Sequence, residues 1–304
     1  MTKGFITLAT GEYYCWLAEH LYMSYKLFSG CDYPFYVITD DEGKDRLSKT
    51  FDGVIVHNGF TRTSVDKVCV FTETPFDETI FIDADCSVVN DLNYLFDKFE
   101  ENGSDVSGIA GYVELPEGKN GVQFSANTAE RLGFCHDYPN FNGGVYYYKK
   151  SEKGKACIGF MMNELLPNYH DYELMGRSNK TNMGDEPLVI VAMLRYGFKP
   201  VPIESGIMVI VEKASTVKWD MKKRTCSFPW YEYTVSPSII HWKVGGTETY
   251  TFEKYDAKIR GRFFNRGGIS VFKSKAKCFV KYKIYPEMLK VFPGLHNIVS
   301  KNKG

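Results

Sequence analysis

The run Ile80-Phe81-Ile82-Asp83-Ala84-Asp85 carries two carboxylates, one residue apart, at the end of an apolar segment. Like charges this close repel, and each disfavours ionisation of the other. The arrangement gains a purpose when a divalent cation sits between the pair and a bound anion, most often a diphosphate. A bare Asp-x-Asp in a loop reads equally well as a strand-end cap beside a solvated carboxylate. Here the apolar approach and Val88-Val89 beyond it favour the metal reading.

The elements that must deliver this pair are legible around it. Phe5–Ala9, Pro34–Thr39, Gly53–His57 and Thr79–Asp83 read as strands. A helix running to about Phe28 follows the first, and a charged helical stretch from Asp40 follows the second. Strand–helix alternation predicts βαβ units and a mainly parallel α/β sheet, Rossmann-like, flanked by helices. Ligands of such sheets lie at the strands' carboxyl ends, which here offer Thr10-Gly11, Asp40-Asp41 and Asp83-Ala84-Asp85. Val106–Gly111 and Val145–Lys149 read as further strands, Glu152–Leu166 and Glu186–Tyr196 as helices, and Pro167–Met183 as a long loop. Ser238–Trp242 reads as a strand reaching His241, and residues 245–253 as a linker.

Taken in order, several short motifs over residues 4–245 resemble a GT-A-fold, nucleotide-sugar-dependent glycosyltransferase. They are most similar to glycosyltransferase family 8, the glycogenin and lipopolysaccharide galactosyltransferase group. The motifs are Phe5-Ile-Thr-Leu-Ala-Thr-Gly-Glu-Tyr-Tyr14, Asp66-Lys67, Phe81-Ile-Asp-Ala-Asp85, Phe141-Asn-Gly-Gly-Val145, Gly184-Asp-Glu186 and Ile239-Ile-His241-Trp242. The resemblance implies Asp83, Asp85 and His241 as ligands of Mn²⁺ (or Mg²⁺), whose hard oxygen and imidazole donors suit those ions better than zinc. It further implies nucleotide-sugar contacts from Thr10, Tyr14, Lys67, Asp83, Asn142 and Lys243, with Tyr14 stacking on the base and Tyr13 competing for that role. Asp185 and Glu186 are implied at the transferring sugar. The implied activity is transfer of a hexose, glucose or galactose by default, from a UDP-sugar to a hydroxyl of a glycan, lipid-linked sugar or protein, with retention.

Two departures stand out. Glu186 occupies a position where the family usually has Gln, so a carboxylate could act there as nucleophile or as electrostatic support. The family's late His-x-x-Gly-x-x-Lys-Pro-Trp is replaced by His241-Trp-Lys-Val-Gly-Gly-Thr-Glu-Thr249. Three other classes compete. A haloacid-dehalogenase-like phosphatase places its Asp-x-Asp on the first strand, whereas three strands precede Asp83. A sugar nucleotidyltransferase wants a Gly-rich basic loop where Thr10-Gly-Glu-Tyr stands. A non-catalytic glycan-binding protein has no need of the full ligand set.

Charge divides the chain. Residues 254–304 carry 13 Lys and Arg against Asp256 and Glu287, a net of +11, which leaves −11 on residues 1–253. The division predicts a glycosyltransferase domain over 1–250 and a basic, aromatic extension over 251–304. Arg260, Arg262, Arg266, Lys273, Lys275, Lys277, Lys281 and Lys283 interleave there with Phe263, Phe264, Phe272, Phe279, Tyr282 and Tyr285. That mixture suits an anionic membrane surface, or a helix packed back on the acidic body. Nucleic acid fits the charge but not the metal pair. The eight cysteines lack metal-binding spacing and read as reduced thiols. With no apolar leader or spanning segment, the expectation is a cytoplasmic protein, peripheral at the inner face of a membrane if the tail engages lipid.

Overall fold

A computed structural model describes residues 1–114, 130, 132–133, 137–174, 184–230, 232–242, 244–247, 249–265, 268–284, 286–287 and 290. The main sheet has six strands in the order β3-β2-β1-β4-β7-β6. These are β1 (Lys3–Leu8), β2 (Phe35–Thr39), β3 (Gly53–Val56), β4 (Glu78–Ile82), β6 (Val106–Glu114) and β7 (Asp137–Lys149). β1, β2, β3 and β4 pair in parallel, while β7 runs antiparallel to both β4 and β6. The central strands are buried along most of their length, so they read as continuous apolar runs rather than alternating ones.

Helices α1 (Gly11–Phe28) and α2 (Asp41–Leu47) return the chain between the first three strands, and the five-residue α3 (Cys69–Glu73) precedes β4. α4 (Leu95–Glu101), α5 (Glu152–Phe160) and α6 (Asp185–Arg195) complete the flanking layers. One side of the sheet packs an aromatic nest in which the Phe5 ring lies 5.1 Å from Tyr25 and 5.5 Å from Phe96. All three rings are fully buried, each stabilising the fold by roughly 1.5–3 kcal/mol.

A second, three-stranded sheet stands beside the first. β5 (Cys86–Val88) pairs antiparallel with β12 (Ile239–His241), which pairs in parallel with β8 (Met208–Ile210). A third sheet, of β9 (Lys218–Asp220), β10 (Thr225–Trp230) and β11 (Tyr233–Val235), is antiparallel throughout.

Two expectations change. Asp40 is not a ligand carboxylate: its side chain accepts the Gly43 N–H at 2.9 Å and caps α2. Residues 245–253 are not an open linker either. They enter α7 (Val244–Thr247) and then α8 (Tyr250–Phe263), which starts at a capping Thr249. Phe252, Tyr255, Asp256 and Ile259 of α8 are buried at i, i+3, i+4 and i+7, one face of a helix. Arg260 bonds both Asp256 (2.9 Å) and Glu19 of α1 (3.0 Å), and Glu19 in turn holds Arg46 at 2.7 Å. His20 bridges Asp256 (3.0 Å) and Ser87 (2.6 Å), while the Trp242 indole N–H donates to Ser87 at 2.7 Å. The Asp256 carboxylate, also paired with Arg260, can only accept, so His20 Nδ1 carries the hydrogen between them. The residue-250 division expected from charge thus falls at the first turn of a helix that belongs to the core.

The next helix, α9 (Gly268–Phe279), folds back on α8. Val271 fills the space where a Cβ on Gly261 would stand, and Lys281 pairs with Glu253 at 2.5 Å. Phe272 (72% exposed) and Phe279 (48%) stay open to solvent, although the Phe279 ring also lies 6.4 Å from Tyr250 of α8.

Candidate active site

The second sheet explains how residues from opposite ends of the chain meet. After β4 the chain turns at Asp83, whose N–H reaches Gly144 O at 2.9 Å, and the Cys86 N–H closes back on Asp83 O at 3.0 Å. β5 then starts, and its register with β12 sets His241 opposite Cys86. The Trp242 N–H locks this end to Asp85 O at 3.1 Å. His241 Nε2 thereby lies 3.0 Å from Asp85 Oδ1 and 3.9 Å from Asp83 Oδ2.

Asn142 fixes the chemistry of that imidazole. Its Oδ1 accepts the Gly144 N–H at 3.0 Å and lies 2.6 Å from His241 Nδ1. A backbone donor identifies the amide oxygen, so His241 Nδ1 must carry the hydrogen. In the neutral ring, Nε2 then presents a lone pair to the same space as two carboxylates. Two hard oxygens and an oriented imidazole fit a divalent ion such as Mn²⁺ or Mg²⁺. Without one, the charges adjust to each other. Burial, with Asp85 adding to it, raises the Asp83 carboxyl against the pull of Lys67. Burial also resists ionisation of Asp85, but the His241 contact outweighs it and holds that carboxyl low. Burial opposes charge on His241 too, and Asp85 overcomes it, raising the imidazole.

The Asn-Gly-Gly stretch of β7 is a steric requirement. A Cβ on Gly144 would stand 2.7 Å from His241 Nδ1, and one on Gly143 would stand 2.5 Å from Asp185 Oδ2. Asp185, at the start of α6, accepts the Tyr146 hydroxyl at 2.7 Å and lies 3.7 Å from Lys67 Nζ. Glu186 Oε1 accepts the Gly143 N–H at 2.7 Å. Lys67 bonds Asp83 Oδ2 at 2.6 Å and Gly143 O at 3.3 Å. Burial disfavours its charge, but Asp185 and Asp83 together keep the ammonium well above the usual lysine range.

A cleft of about 440 Å³ opens over this cluster, lined by Thr10, Tyr14, Arg62, Lys67, Asp83 and Asp85 among others. Tyr14 is 40% exposed, with burial and then Asp85 raising its phenol. Tyr13 instead hydrogen-bonds Thr247 and packs on Trp16, so Tyr14 faces the cleft. Asp66 binds the backbone N–H groups of Thr61 (2.9 Å) and Arg62 (2.7 Å), which holds Arg62 in left-handed backbone at φ 60°.

The structure therefore gathers Asp83, Asp85, His241, Asn142, Lys67, Asp185 and Glu186 in one cluster, with Thr10 and Tyr14 on the cleft wall. Lys243 lies outside the described residues. Asn142, implied as a sugar contact, has its amide oxygen engaged by His241 and Gly144. Three residues escaped the sequence reading: Tyr146, hidden inside an apolar run; Arg62, whose backbone strain no motif signals; and Cys86, whose thiol lies within 4.8 Å of the Asp85 and His241 ligand atoms.

No protein-family model matches the sequence, and no curated protein matches it either. Solved structures do match. The galactosyltransferase LgtC, in complex with donor and acceptor sugar analogues, aligns over 85% of this chain and 95% of its own at 14% identity, with a TM-score of 0.54. An active-site variant of LgtC with Glu in place of Gln aligns over the same shares at 14% identity and a TM-score of 0.55. The bifunctional glycosyltransferase WbbM aligns over 90% of this chain but only 52% of its own, at 13% identity and a TM-score of 0.54. These likenesses establish the fold: the chain has the GT-A architecture, a mostly parallel sheet between helices.

Proposed function

We propose that the protein is a metal-dependent hexosyltransferase that uses a UDP-sugar. The observation that carries this reading is the convergence of a half-buried carboxylate, a buried one and an oriented imidazole lone pair beneath a cleft, on a GT-A scaffold. Asp83, Asp85 and His241 would hold Mn²⁺ or Mg²⁺, which supplies charge neutralisation for a departing diphosphate. Thr10 and Tyr14 take the nucleoside, with Tyr14 as the ring exposed in the cleft. Lys67 and Arg62 offer positive charge to the phosphates. Asp185, held by Tyr146, and Glu186, held by the Gly143 N–H, face the sugar. A carboxylate at Glu186 favours positive charge developing at the anomeric carbon, and retention is proposed on the family resemblance alone. Glucose or galactose is the proposed sugar, and a hydroxyl of a glycan, lipid-linked sugar or protein the acceptor.

The test is UDP release from a panel of UDP-sugars with Mn²⁺. Wild-type protein should turn over at least one, and Asp85→Asn should abolish that turnover while leaving the fold intact. An Asp85→Asn protein with near-normal activity would refute the site. A phosphatase would instead hydrolyse simple phosphate esters without a sugar nucleotide.

We assign the catalytic domain to run through α8, with the basic extension beginning at α9. Among the described residues, no helix is long and apolar enough to cross a membrane. We propose an anionic membrane surface as the partner of α9, on the cytoplasmic side, because exposed Phe272 and Phe279 stand on the same helix as Lys273 and Lys277. Each lysine near such a surface contributes about 1 kcal/mol. The protein should co-sediment with anionic vesicles at low salt, release at high salt, and ignore neutral vesicles. Lys273→Glu with Lys277→Glu should abolish the binding.

A further inference from the structure

A second group of ligand-type side chains lies outside the cluster just described. His57 directly follows β3 and is anchored by its N–H to Thr39 O at 2.9 Å. Cys69 and Glu73 are the first and last residues of α3, four apart and so on one face of it. His57 Nδ1 is hydrogen-bonded to Glu73 Oε1. The imidazole nitrogen, the thiol sulfur and a carboxylate oxygen all lie within 4.8 Å of one another. Glu73 Oε2 is buried and has no hydrogen-bond partner among the described residues. A buried carboxylate oxygen left unpartnered is costly, and it belongs to the side chain that already stands beside a sulfur and a ring nitrogen. The Phe60 ring, 4.7 Å from the imidazole, shields one side, while the His57 and Glu73 side chains, 27% and 26% exposed, leave a way in from solvent.

We propose that His57, Cys69 and Glu73 form a metal site separate from the Asp83–Asp85–His241 cluster, selective for Zn²⁺ or a similar borderline-soft divalent ion. Thiolate, imidazole and carboxylate form a ligand set for that class of ion, whereas Mg²⁺ and Mn²⁺ prefer oxygen. Tetrahedral Zn–S and Zn–N bonds of about 2.3 and 2.0 Å set ligand atoms roughly 3.5 Å apart, so small side-chain rotations bring the three into range. On binding, the Cys69 thiol gives its proton to solvent, and the hydrogen between His57 and Glu73 moves to the free nitrogen of the neutral imidazole. The thiolate and carboxylate neutralise the ion, and water completes the fourth position. The site pins the start of α3, two residues beyond Lys67, and so braces the cleft wall that carries Arg62 and Lys67. It stands on its own geometry and is independent of the sugar-transfer reading.

Cobalt substitution tests it. Full-length protein titrated with Co²⁺ should develop a thiolate-to-cobalt charge-transfer band, saturating at one equivalent. Asp85→Asn should keep the band, and Cys69→Ser should lose it. His57→Gln should weaken zinc binding by about tenfold or more in chelator competition, because loss of even an outer-sphere partner costs that much. His57→Gln also serves if Cys69→Ser does not fold. A folded wild-type protein with no such band, or a band that survives Cys69→Ser, overturns the proposal.

Discussion

Replacing Lys67 with Met, a neutral side chain of similar reach, tests the electrostatics of the cluster without reference to turnover. Lys67 Nζ lies 2.6 Å from Asp83 Oδ2 and 3.7 Å from Asp185 Oδ2. At an effective dielectric of about 20, those contacts are attractive by roughly 6 and 4.5 kcal/mol. Much of that is cancelled by desolvating the ammonium, so the pair itself adds little net stability. Removing the cation alone is different, because half-buried Asp83 and buried Asp185 are both left without it. The expected loss is about 3–5 kcal/mol of unfolding free energy. Urea unfolding in chelator at neutral pH reads it as a fall in midpoint with an unchanged slope. The double variant Lys67→Met/Asp83→Asn should recover part of the loss, since Asp83 then needs no cation while Asp185 still does. A Lys67→Met variant within about 1 kcal/mol of wild type, or a double variant no better than the single, would refute this account.

Two further outcomes are expected. Glu186→Gln keeps an oxygen for the Gly143 N–H but loses the charge, so kcat should fall about 10²-fold, about 2.7 kcal/mol, with KM for the donor nearly unchanged; an unimpaired variant would make the carboxylate incidental. Burial opposes ionisation of Asp256 and of Glu19, but His20 and Arg260 on the first, and Arg46 and Arg260 on the second, hold both pKa values below normal. Their stabilisation is therefore full above the unfolded carboxylate range and is lost as pH falls below about 4, so Asp256→Asn should flatten the acid limb of a melting-temperature profile.

The parallel half of the sheet was legible because its strands are apolar runs bounded by turns, and the carboxylate pair because a buried strand leads straight to it. The second sheet was not visible as a sheet. Cys86–Val88 and Ile239–His241 are three residues each, too short for a period, and their pairing spans more than 150 positions. Only motif resemblance tied His241 to Asp85. The role of Asn142 was hidden for a related reason: Asn-Gly-Gly signals a turn, whereas here the glycines clear space for His241 and Asp185. α8 was misread because its charge dominated. Its apolar positions, Phe252, Tyr255 and Ile259, have helical spacing, but the basic residues between them suggested a solvated tail. Arg260 in particular was counted toward a membrane surface, while the fold spends it on Glu19 and Asp256.

The bridge from His20 to Asp256 spans 236 positions. On a ribosome adding about 5–20 residues per second, roughly 10–50 s separate the emergence of the two partners. Throughout that interval α1 is out of the exit tunnel with Glu19 and His20 lacking the partners that α8 will bring. The strand carrying His241 also emerges late, after Asp83 and Asp85 have been exposed as a bare acidic turn. The nascent chain consequently has an incomplete ligand cluster until His241 has emerged. Premature termination before α8 leaves a product whose first helix lacks the cover that α8 gives Glu19 and His20, a natural substrate for chaperones and proteases.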